Sequence, residues 1–294
     1  MTDLPSTESL DPATASLDRL DEVALARLLV DAHRVAVDAA LDAAEQIARA
    51  TTLVAEALGR GGRVILVGAG TSGRLGVLDA AELPPTFGLD LALVEGRIAG
   101  GDAALRRAIE GAEDDMEAGA RAVADVGSGD VLIGISASGG APFVRAAVAA
   151  ARARGACTIG IVNAAGGALA AEAEVGIVAA TGAEPIQGST RMRAGTAQKI
   201  VLNAISTGAM IRLGKTYGNR MVDLVATNAK LRARSERLVH ELAGATDPRA
   251  LLAAAGGSVK VAIVMARRGV ERADAERLLA RAGGRLTRVI DDPG

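Results

Sequence analysis

Five short runs of β-branched and aliphatic residues constrain the fold of this chain more than any other feature of its sequence. Helical or loop stretches separate these runs, which lie at 63–68, 91–96, 130–136, 157–162 and 175–180. Continuous apolar strands that alternate with helices are typical of a parallel sheet covered on both faces. The sequence therefore predicts an α/β three-layer sandwich in which helices cover both faces of a five-stranded parallel sheet.

Helical patterns flank the predicted sheet on both sides. Residues 1–18 read as an irregular arm, and apolar residues at three- and four-residue steps then predict two helices, the second ending at Gly59 to Gly62. The pattern becomes helical again after residue 186. We therefore expect an N-terminal arm with helices over 1–60, followed by a sheet domain over 61–244.

The carboxyl-terminal part of the chain contains an internal echo, "LLAAAGG" at 251–257 and "LLARAGG" at 278–284. Each copy reads as an Ala/Leu helix that paired glycines stop, and "ATDPR" supplies an N-cap and an early proline before the first copy. Two copies are too few for a solenoid. The segment 245–294 is therefore predicted to form a small helical subdomain.

Composition narrows the classes of function. Apolar residues make up 50% of the 294 residues but aromatic residues only 1%, and the net charge is −2. Proteins that bind single-stranded nucleic acid need aromatic side chains on which bases stack, and proteins that bind the grooves of a duplex need an excess of basic residues. We therefore expect no nucleic-acid partner. The polar, acidic start "MTDLPSTESLDP" and the lack of an apolar run of about 18 residues predict neither a signal peptide nor a membrane partner.

Cysteine and histidine are scarce. Cys157 has no disulfide partner within the chain, and the only histidines are His33 and His240. Nothing in this composition demands an oxidising compartment, and no zinc-type cluster is expected. We therefore expect a cytoplasmic protein without a metal site.

The stretch "RVILVGAGTSGRLG" (63–76) places glycines between a predicted strand and a predicted helix. The glycines of "GAGTSG" (68–73) have the GxGxxG spacing of a dinucleotide site, for which Glu95 would be the ribose-binding acid. Thr71 and Ser72 instead favour a phosphate loop, because their hydroxyls lie where backbone N–H groups and a helix N-terminus converge. This stretch alone leaves both interpretations open.

A second stretch repeats this design. The segment "DVLIGISASGGAP" (130–142) runs from a predicted strand into Ser136 and Ser138, then two glycines and a helix opened by Pro142. Loops at the carboxyl ends of adjacent parallel strands meet at the topological switch point of a sheet. Two Ser/Gly loops there suit a compact phosphorylated ligand better than an extended dinucleotide, although each loop alone also fits an ordinary tight turn.

A third polar stretch, "TGAEPIQGSTRMRAGTAQK" (181–199), follows the last predicted strand. Its glycines, carboxylate, hydroxyls and basic residues could close over an anionic ligand. It also fits a surface loop in which Ser189 or Thr190 caps the following helix. From the three stretches, the candidate substrate-binding residues are Thr71, Ser72, Ser136, Ser138, Glu184, Ser189 and Thr190.

Several long motifs together resemble the N-acetylmuramic acid 6-phosphate etherases, enzymes with the sugar isomerase (SIS) fold. They are "TESLDPATASLDRL", "GAGTSGRLGVLDAAELPPTFG", "IAGGDAALRRAIEGAEDD", "GISASG", "GSTRMRAGTAQK" and "MVDLVATN". The helical tail also resembles a small ubiquitin-associated bundle. The resemblance implies a homodimer that cleaves the lactyl ether of a 6-phosphosugar in bacterial cell-wall recycling. The products would be N-acetylglucosamine 6-phosphate and D-lactate, and neither a metal nor a nucleotide cofactor would be needed.

The resemblance also implies two catalytic glutamates. It assigns Glu82, in "LDAAELPP", as the acid and Glu113, in "IEGAEDD", as the base. In this chemistry the sugar ring opens to an aldehyde and the base removes the C2 proton, while the acid protonates the departing lactate oxygen. Water then adds at C3.

Each glutamate also has a plain structural explanation. Glu82 ends a predicted helix just before Pro84 and Pro85, where a solvated carboxylate and a buried acid both fit. Glu113 begins an acidic run that suits the first turn of a helix. If 72–82 is an uninterrupted helix, Glu82 lies about 15 Å from the phosphate loop, farther than a hexose phosphate spans. Either the helix bends back, or Glu82 serves the active site of the other subunit. We expect the second, an active site that is shared across a dimer interface.

The sequence departs from the family pattern at three positions. Gly140 and Ala141 stand where the family usually has Arg-Thr, and Arg193 stands where it usually has Lys. The first change removes a cation and a hydroxyl beside the phosphate loop, so the affinity or the identity of the substrate could differ. The alternative functions are a non-catalytic phosphosugar-binding regulator, a sugar-phosphate isomerase on the same fold and a nicotinamide-dependent dehydrogenase.

Overall fold

The computed structural model describes residues 4–224 and 228–291. The chain divides into two compact units, and each consists of two segments of sequence. The segments of the first unit are Met1–Ala81 and Leu91–Ser206, and those of the second unit are Glu82–Asp90 and Thr207–Gly294.

Five parallel strands form the sheet of the first unit in the order β2-β1-β3-β4-β5. The strands are β1 Val64–Gly68, β2 Val94–Ile98, β3 Val131–Ile135, β4 Cys157–Val162 and β5 Val175–Val178. The neighbours β1 and β3 pair in register, with Val64 opposite Val131 and Gly68 opposite Ile135. These observations confirm the predicted α/β class and the five-stranded parallel sheet.

The strand β2 begins later than the predicted run at 91–96. It spans Val94–Ile98, and residues 91–93 form a turn. As an edge strand it contains Glu95 and Arg97, which interrupt the apolar pattern that central strands show. The apolar run therefore placed the start of this strand too early.

Helices cover both faces of the sheet. The helices up to residue 212 are α1 Glu22–Asp31, α2 Arg34–Asp42, α3 Ala44–Gly59, α4 Gly70–Phe87, α5 Met116–Arg121, α6 Pro142–Ala153, α7 Ala168–Glu172 and α8 Arg193–Arg212. On one face, the buried Ile65 and Leu132 pack with Val144 and Val148 of α6. On the other face, a Cβ at Gly76 of α4 would lie 3.2 Å from the side chains of both Leu66 and Ile135, so this helix packs closely on β1 and β3. The predicted three-layer arrangement is confirmed.

The segment 22–59 contains three helices where the sequence predicted two. Helix α1 ends at Asp31 and α2 ends at Asp42, and the breaks that follow them are at Ala32, His33 and Ala43. None of these three residues is glycine or proline. The apolar spacing continues across both breaks, which is why it did not reveal them.

The N-terminal arm is more regular than the predicted irregular segment. It forms three short 3-10 helices, Ser6–Glu8, Pro12–Thr14 and Leu17–Arg19. The second of these has proline at its first position, and the Asp11 side chain accepts a hydrogen bond from the Ala13 N–H at 3.0 Å. A capped proline turn of this kind leaves no periodic apolar signal in the sequence.

Helix α4 continues through Pro84 and Pro85 and ends at Phe87, so the prediction that it ends at Glu82 was wrong. A proline inside a helix removes one backbone hydrogen bond. Both prolines lie in the last turn of α4, and the Gly88 N–H donates to the Pro84 carbonyl at 2.9 Å. The helix therefore closes with a normal backbone bond after its two prolines.

The second unit has its own apolar core. Its helices are α9 Ala229–Ala243, α10 Pro248–Ala254, α11 Val259–Arg268, α12 Arg272–Arg281 and α13 Leu286–Ile290, and its hairpin consists of β6 Thr216–Tyr217 and β7 Arg220–Met221. The core brings together Leu238 and Val239 of α9, Ala262 of α11 and Leu279 of α12. The predicted subdomain 245–294 lies within this unit.

The local signals in the carboxyl-terminal helices are borne out. The Asp247 side chain accepts from the Ala250 N–H at 2.9 Å and caps α10, which has Pro248 at its first position. The glycine pairs that follow α10 and α12 adopt positive φ angles, and they are Gly256, Gly257, Gly283 and Gly284. Glycine adopts this conformation without the strain that other residues incur, and this explains why both helices stop there.

No single helix in 4–224 or 228–291 is both long and apolar enough to cross a membrane. One bent pair, α10 with α11, passes the length and composition test jointly at an angle of 104°. Most of α11 is buried in the core of the second unit. The same described residues hold no cluster of three or more His, Cys, Asp or Glu side chains placed to bind a metal ion.

Candidate active site

A cavity of about 440 Å³ lies at the carboxyl ends of β1 and β3 in the first unit. Five segments of that unit line it: the N-terminal arm, the start of α4, the segment before α5, the loop from β3 into α6, and the turn before α8. The lining residues are Thr7, Glu8, Ala69, Gly70, Thr71, Ser72, Glu113, Asp114, Ile135, Ser136, Ala137, Ser138, Gly140, Ala141, Pro142, Gly188 and Thr190. This volume suits a ligand the size of a sugar phosphate.

The first loop brings Thr71 and Ser72 into the cavity wall because its glycines let α4 approach β1. A Cβ at Gly68 would lie 2.6 Å from the Gly73 nitrogen, and a Cβ at Gly73 would lie 2.6 Å from the Gly68 oxygen. The GxGxxG spacing is therefore explained by close packing of strand and helix. Thr71 and Ser72 follow Gly70 in the first turn of α4, where backbone N–H groups lack intrahelical acceptors.

The second loop presents two serines at the start of another helix. The Ser136 Oγ accepts a hydrogen bond from the Gly139 N–H, and the Ser138 Oγ accepts one from the Gly140 N–H, each at 3.1 Å. These bonds use oxygen lone pairs and leave each hydroxyl hydrogen able to donate to a ligand. Helix α6 begins directly afterwards at Pro142. Two helix starts and two sets of hydroxyls therefore line one cavity.

Glu113 lies at the cavity because its backbone is bonded to α6. The Phe143 N–H, in the first turn of that helix, donates to the Glu113 carbonyl at 2.9 Å. Helix α5 starts later, with Asp115 as its N-cap accepting from the Ala118 N–H at 2.8 Å. The Glu113 side chain is exposed. Its carboxylate is thus held beside the serine loop but remains accessible to a ligand.

The third polar stretch contributes Thr190 to the cavity wall, whereas Ser189 and Glu184 are not among the lining residues. The Glu184 side chain is fully buried and caps α8, since its two oxygens accept from the N–H groups of Arg193 at 2.8 Å and Ala194 at 2.9 Å. The helix cap expected from Ser189 or Thr190 is therefore supplied by a glutamate from earlier in the chain. A role for Glu184 in substrate binding stays a prediction.

Two of the three basic residues of this stretch, Lys199 and Arg193, are paired with carboxylates of the first unit. Lys199 lies 3.3 Å from the buried carboxylate of Asp79, which also accepts from the Asn203 side chain at 2.7 Å. The Arg193 guanidinium pairs with Asp11 of the N-terminal arm at 2.8 Å. Among the described residues that line the cavity, all charged side chains are acidic.

Glu82 belongs to the second unit, where it is exposed on α4. It is not among the lining residues of the cavity, all of which belong to the first unit. Helix α4 is uninterrupted from Gly70 to Phe87. The condition that led us to expect a shared site is therefore met, and the sharing itself stays a prediction.

Three lining residues with polar or charged side chains were not among the predicted site residues: Thr7, Glu8 and Asp114. Thr7 is fully buried, and its hydroxyl has no hydrogen-bond partner among residues 4–224 and 228–291. The only sequence signal for Thr7 and Glu8 was their presence in the motif "TESLDPATASLDRL", because an arm distant in sequence reaches a site only through the tertiary fold. Asp114 follows directly from the position of its neighbour Glu113.

Two family models match the chain. The glucokinase regulatory protein N-terminal SIS domain matches residues 46–152, and the SIS domain matches residues 109–207. Among solved structures, the fold is similar to that of E. coli CFT073 c3406 in complex with A5P, with a TM-score of 0.51 and 17% identity. That similarity covers 68% of this chain and 97% of the other. At this identity it shows the shared fold only.

Curated relatives match over nearly the whole length of the chain. The N-acetylmuramic acid 6-phosphate etherase of Deinococcus radiodurans is 48% identical over 99% of this chain and 97% of its own length. The enzyme of the same name from Streptomyces avermitilis is 50% identical over 97% of this chain and 93% of its own. That from Escherichia fergusonii is 43% identical over 97% of each. The chain therefore belongs to the N-acetylmuramic acid 6-phosphate etherase family, whose members carry a SIS domain.

Proposed function

We propose that this protein is an N-acetylmuramic acid 6-phosphate etherase, a carbon-oxygen lyase that releases D-lactate and N-acetylglucosamine 6-phosphate. The observation that carries the proposal is that Glu113 and the hydroxyls of both Ser/Thr loops line one cavity at the sheet's switch point. Near full-length identity to enzymes of that name supports the substrate. We place the reaction in the cytoplasm, in the recycling of cell-wall sugars.

The phosphate of the substrate binds at the two helix starts in this proposal. Thr71, Ser72, Ser136 and Ser138 donate hydroxyl hydrogens to it, and the first-turn N–H groups of α4 add further donors. Thr190 lines the same site from the turn before α8. Because the charged side chains in this wall are carboxylates, the phosphate is held by dipoles and hydroxyls of one chain rather than by its lysines or arginines.

The reaction is an elimination followed by a hydration. Ring opening makes the C2 proton acidic, and Glu113 removes it while the bond between C3 and the ether oxygen breaks. The departing oxygen takes a proton from the acid and leaves as D-lactate. Water then adds its oxygen to C3 and a proton returns to C2, so the net change is hydrolysis of the ether. One base and one acid suffice for both steps.

The acid is Glu82 of a partner subunit in this proposal. Glu82 is exposed on α4, a helix that is continuous from the phosphate loop onward. A homodimer is supported by an apolar stripe on the first two helices, where Val23, Val30, Val37 and Leu41 are each half or more exposed. Exposed apolar residues at helical spacing favour a protein interface.

Mixing two inactive variants tests the shared site. If Glu82 serves the partner's site, a heterodimer of Glu82→Gln with Glu113→Gln has one site with both glutamates. Random mixing of such subunits would then restore about a quarter of the wild-type activity. Sites that lie within one chain would stay inactive in every mixture, and that result would contradict the sharing.

Incubation of the protein with N-acetylmuramic acid 6-phosphate in heavy-oxygen water tests the reaction itself. We expect release of D-lactate and incorporation of the label at C3 of the product sugar. Cleavage without label at C3 would exclude elimination and hydration. Proton exchange at C2 without lactate would indicate an isomerase, and binding without any turnover would indicate a phosphosugar-binding regulator.

A further inference from the structure

The N-terminal arm, defined here as residues 5–14, forms one wall of the cavity. Thr7 and Glu8 are its lining residues. The side chain of Thr7 is completely buried, although its hydroxyl has no hydrogen-bond partner in the part of the chain that the structure describes. A buried hydroxyl without a hydrogen bond costs free energy. This cost is offset if a ligand supplies the missing partner, so the arm is placed where it can contact the substrate.

Two hydrogen bonds hold the cavity end of the arm against the turn that precedes α8. The Gly188 N–H donates to the Thr7 carbonyl at 3.2 Å, and the Gln187 side chain donates to the Glu8 carbonyl at 2.9 Å. The Glu8 carboxylate lies so close to Gly188 that a Cβ there would come within 2.7 Å of it. Gly188 also has a φ angle of +70°, so any other residue would strain this contact.

Arg193 holds the other end of the arm. Its Nη1 donates to the Asp11 carboxylate at 2.8 Å and also to the Ala183 carbonyl, while its Nε donates to the Ala32 carbonyl at 2.9 Å. Both charged side chains are only 15% exposed. The guanidinium therefore joins the arm, the end of α1 and the loop before α8.

The backbone of Arg193 is itself immobilised. Its N–H is bonded to the buried Glu184, and Arg193 is the first residue of the twenty-residue helix α8. A lysine at this position would offer a single ammonium group, whereas the planar guanidinium reaches three acceptors that lie in different directions. Asp11 in turn uses its second oxygen to cap the Pro12–Thr14 turn.

We propose that Arg193 and Asp11 are positioning residues that hold Thr7 and Glu8 in the wall of the active site. This inference rests on the proposed function for its kinetic readout. Neither residue lines the cavity or touches the reacting atoms. Their pairing sets the position of the arm, and the arm provides substrate contacts that the two Ser/Thr loops do not supply.

The test compares Arg193→Gln, Asp11→Asn and the double variant with the wild type. Because the arm contributes binding rather than proton transfer, each single variant is expected to raise KM about tenfold with little change in kcat. The double variant is expected to resemble either single one, since both changes remove the same pair. Arg193→Lys keeps one bond to Asp11, so its KM is expected to lie between those of Arg193→Gln and the wild type.

Hydrogen exchange provides a readout that needs no turnover. In Arg193→Gln, amides over 6–14 and 186–190 are expected to exchange roughly tenfold faster, whereas those of β3 keep their wild-type protection. Addition of N-acetylglucosamine 6-phosphate is expected to slow exchange of the arm in the wild type and less in the variant.

Arg63→Gln is the matched control. The Arg63 guanidinium also reaches three acceptors, in its case two carboxylates and one backbone carbonyl, but it lies at the amino end of β1. It is expected to lower stability without a change in KM. Unchanged KM and unchanged arm exchange in Arg193→Gln would overturn the inference. If the wild type releases no lactate, the proposed function fails, and the exchange measurement still decides whether Arg193 positions the arm.

Discussion

At the amino ends of β1 and β3, Arg63 and Asp130 are bonded to each other, whereas at the carboxyl ends of the same strands Ser72, Ser136 and Ser138 line an open cavity. The Arg63 N–H and guanidinium both donate to Asp130 at 2.9 Å, and the Gly127 N–H donates to it at 3.2 Å. One end of the sheet satisfies its polar groups internally, and the other leaves them available to a ligand.

The ion pairs at the amino end extend to the edge strand. Asp125 accepts from Arg63 at 2.8 Å and from Arg97 at 2.7 Å, and Arg97 also bonds to Glu95. Hydrogen bonds from Arg97 and Arg63 hold the pKa of Asp125 well below its ordinary 3.8. Burial alone would raise the pKa of Asp130, but the hydrogen bonds from Arg63 and Gly127 outweigh it and lower this pKa.

Stability and function therefore depend on opposite ends of this sheet. Substitutions at the amino end should affect unfolding and spare the kinetics, since the groups there already have protein partners. Substitutions at the carboxyl end should affect kinetics and spare unfolding, because those groups await a ligand. Altered kinetics after a substitution at the amino end, or altered unfolding after one at the carboxyl end, would show that the two ends are not separate in this way.

The largest effect is expected from Glu113→Gln. Loss of the proposed base should lower kcat by about 10²- to 10⁴-fold. The melting temperature should stay unchanged, because the exposed side chain is replaced and the backbone carbonyl that accepts from Phe143 is retained. Steady-state lactate assays and calorimetry measure both quantities. Glu117→Gln on α5 is the control for charge, and equal losses of kcat in the two variants would remove Glu113 from the mechanism.

The second-largest effect is expected at the amino ends of β1 and β3, where a substitution should change stability and not kinetics. Asp130→Asn should lower the free energy of unfolding by about 1–3 kcal/mol, because the amide cannot pair with Arg63 as the carboxylate does and leaves part-buried donors unsatisfied. Denaturant titration measures this loss. The kcat and KM should match those of the wild type. A changed KM would show that the two ends of the sheet are coupled.

A smaller kinetic effect is expected from Thr7→Val, which keeps the shape of the side chain and removes a buried hydroxyl that has no partner among the described residues. If the substrate supplies the missing partner, KM should rise about fivefold, whereas the free protein should be as stable as the wild type or more so. The affinity for N-acetylglucosamine 6-phosphate measures the effect on binding, and thermal unfolding measures the effect on stability. A destabilised variant with unchanged affinity would assign the hydroxyl a purely structural role.

The smallest effect concerns pH. The pKa values of Asp125 and Asp130 are lower in the folded chain than the ordinary 3.8, so the folded state binds fewer protons there than the unfolded state. Their stabilisation is fully present above the unfolded pKa of about 3.8 and is lost as the pH falls through the lower folded values. The stability of Asp130→Asn should therefore fall less steeply below pH 4 than that of the wild type. An equally steep fall in the stability of both proteins below pH 4 would contradict this.

Much of the fold could be read from local patterns. The strands β1, β3 and β4 coincide with continuous apolar runs, and the caps of α10 and the glycine stops of α10 and α12 have local chemistry. The edge strand β2 was misplaced because its polar residues broke the pattern, and α4 passed two prolines that predicted its end. An edge strand tolerates polar residues that a central strand does not, and the last turn of a helix tolerates prolines that its interior does not.

The α/β class, the glycines between β1 and α4 and the serine loops after two strands could be predicted from the sequence, since each depends on residues close together along the chain. The folded chain was needed to show that Glu113 is bonded to the start of α6 and that the arm lines the same cavity as the serine loops. Glu184 likewise caps α8 across nine residues. Such contacts join segments whose separation along the chain carries no periodic signal, so they become visible only when the chain is folded.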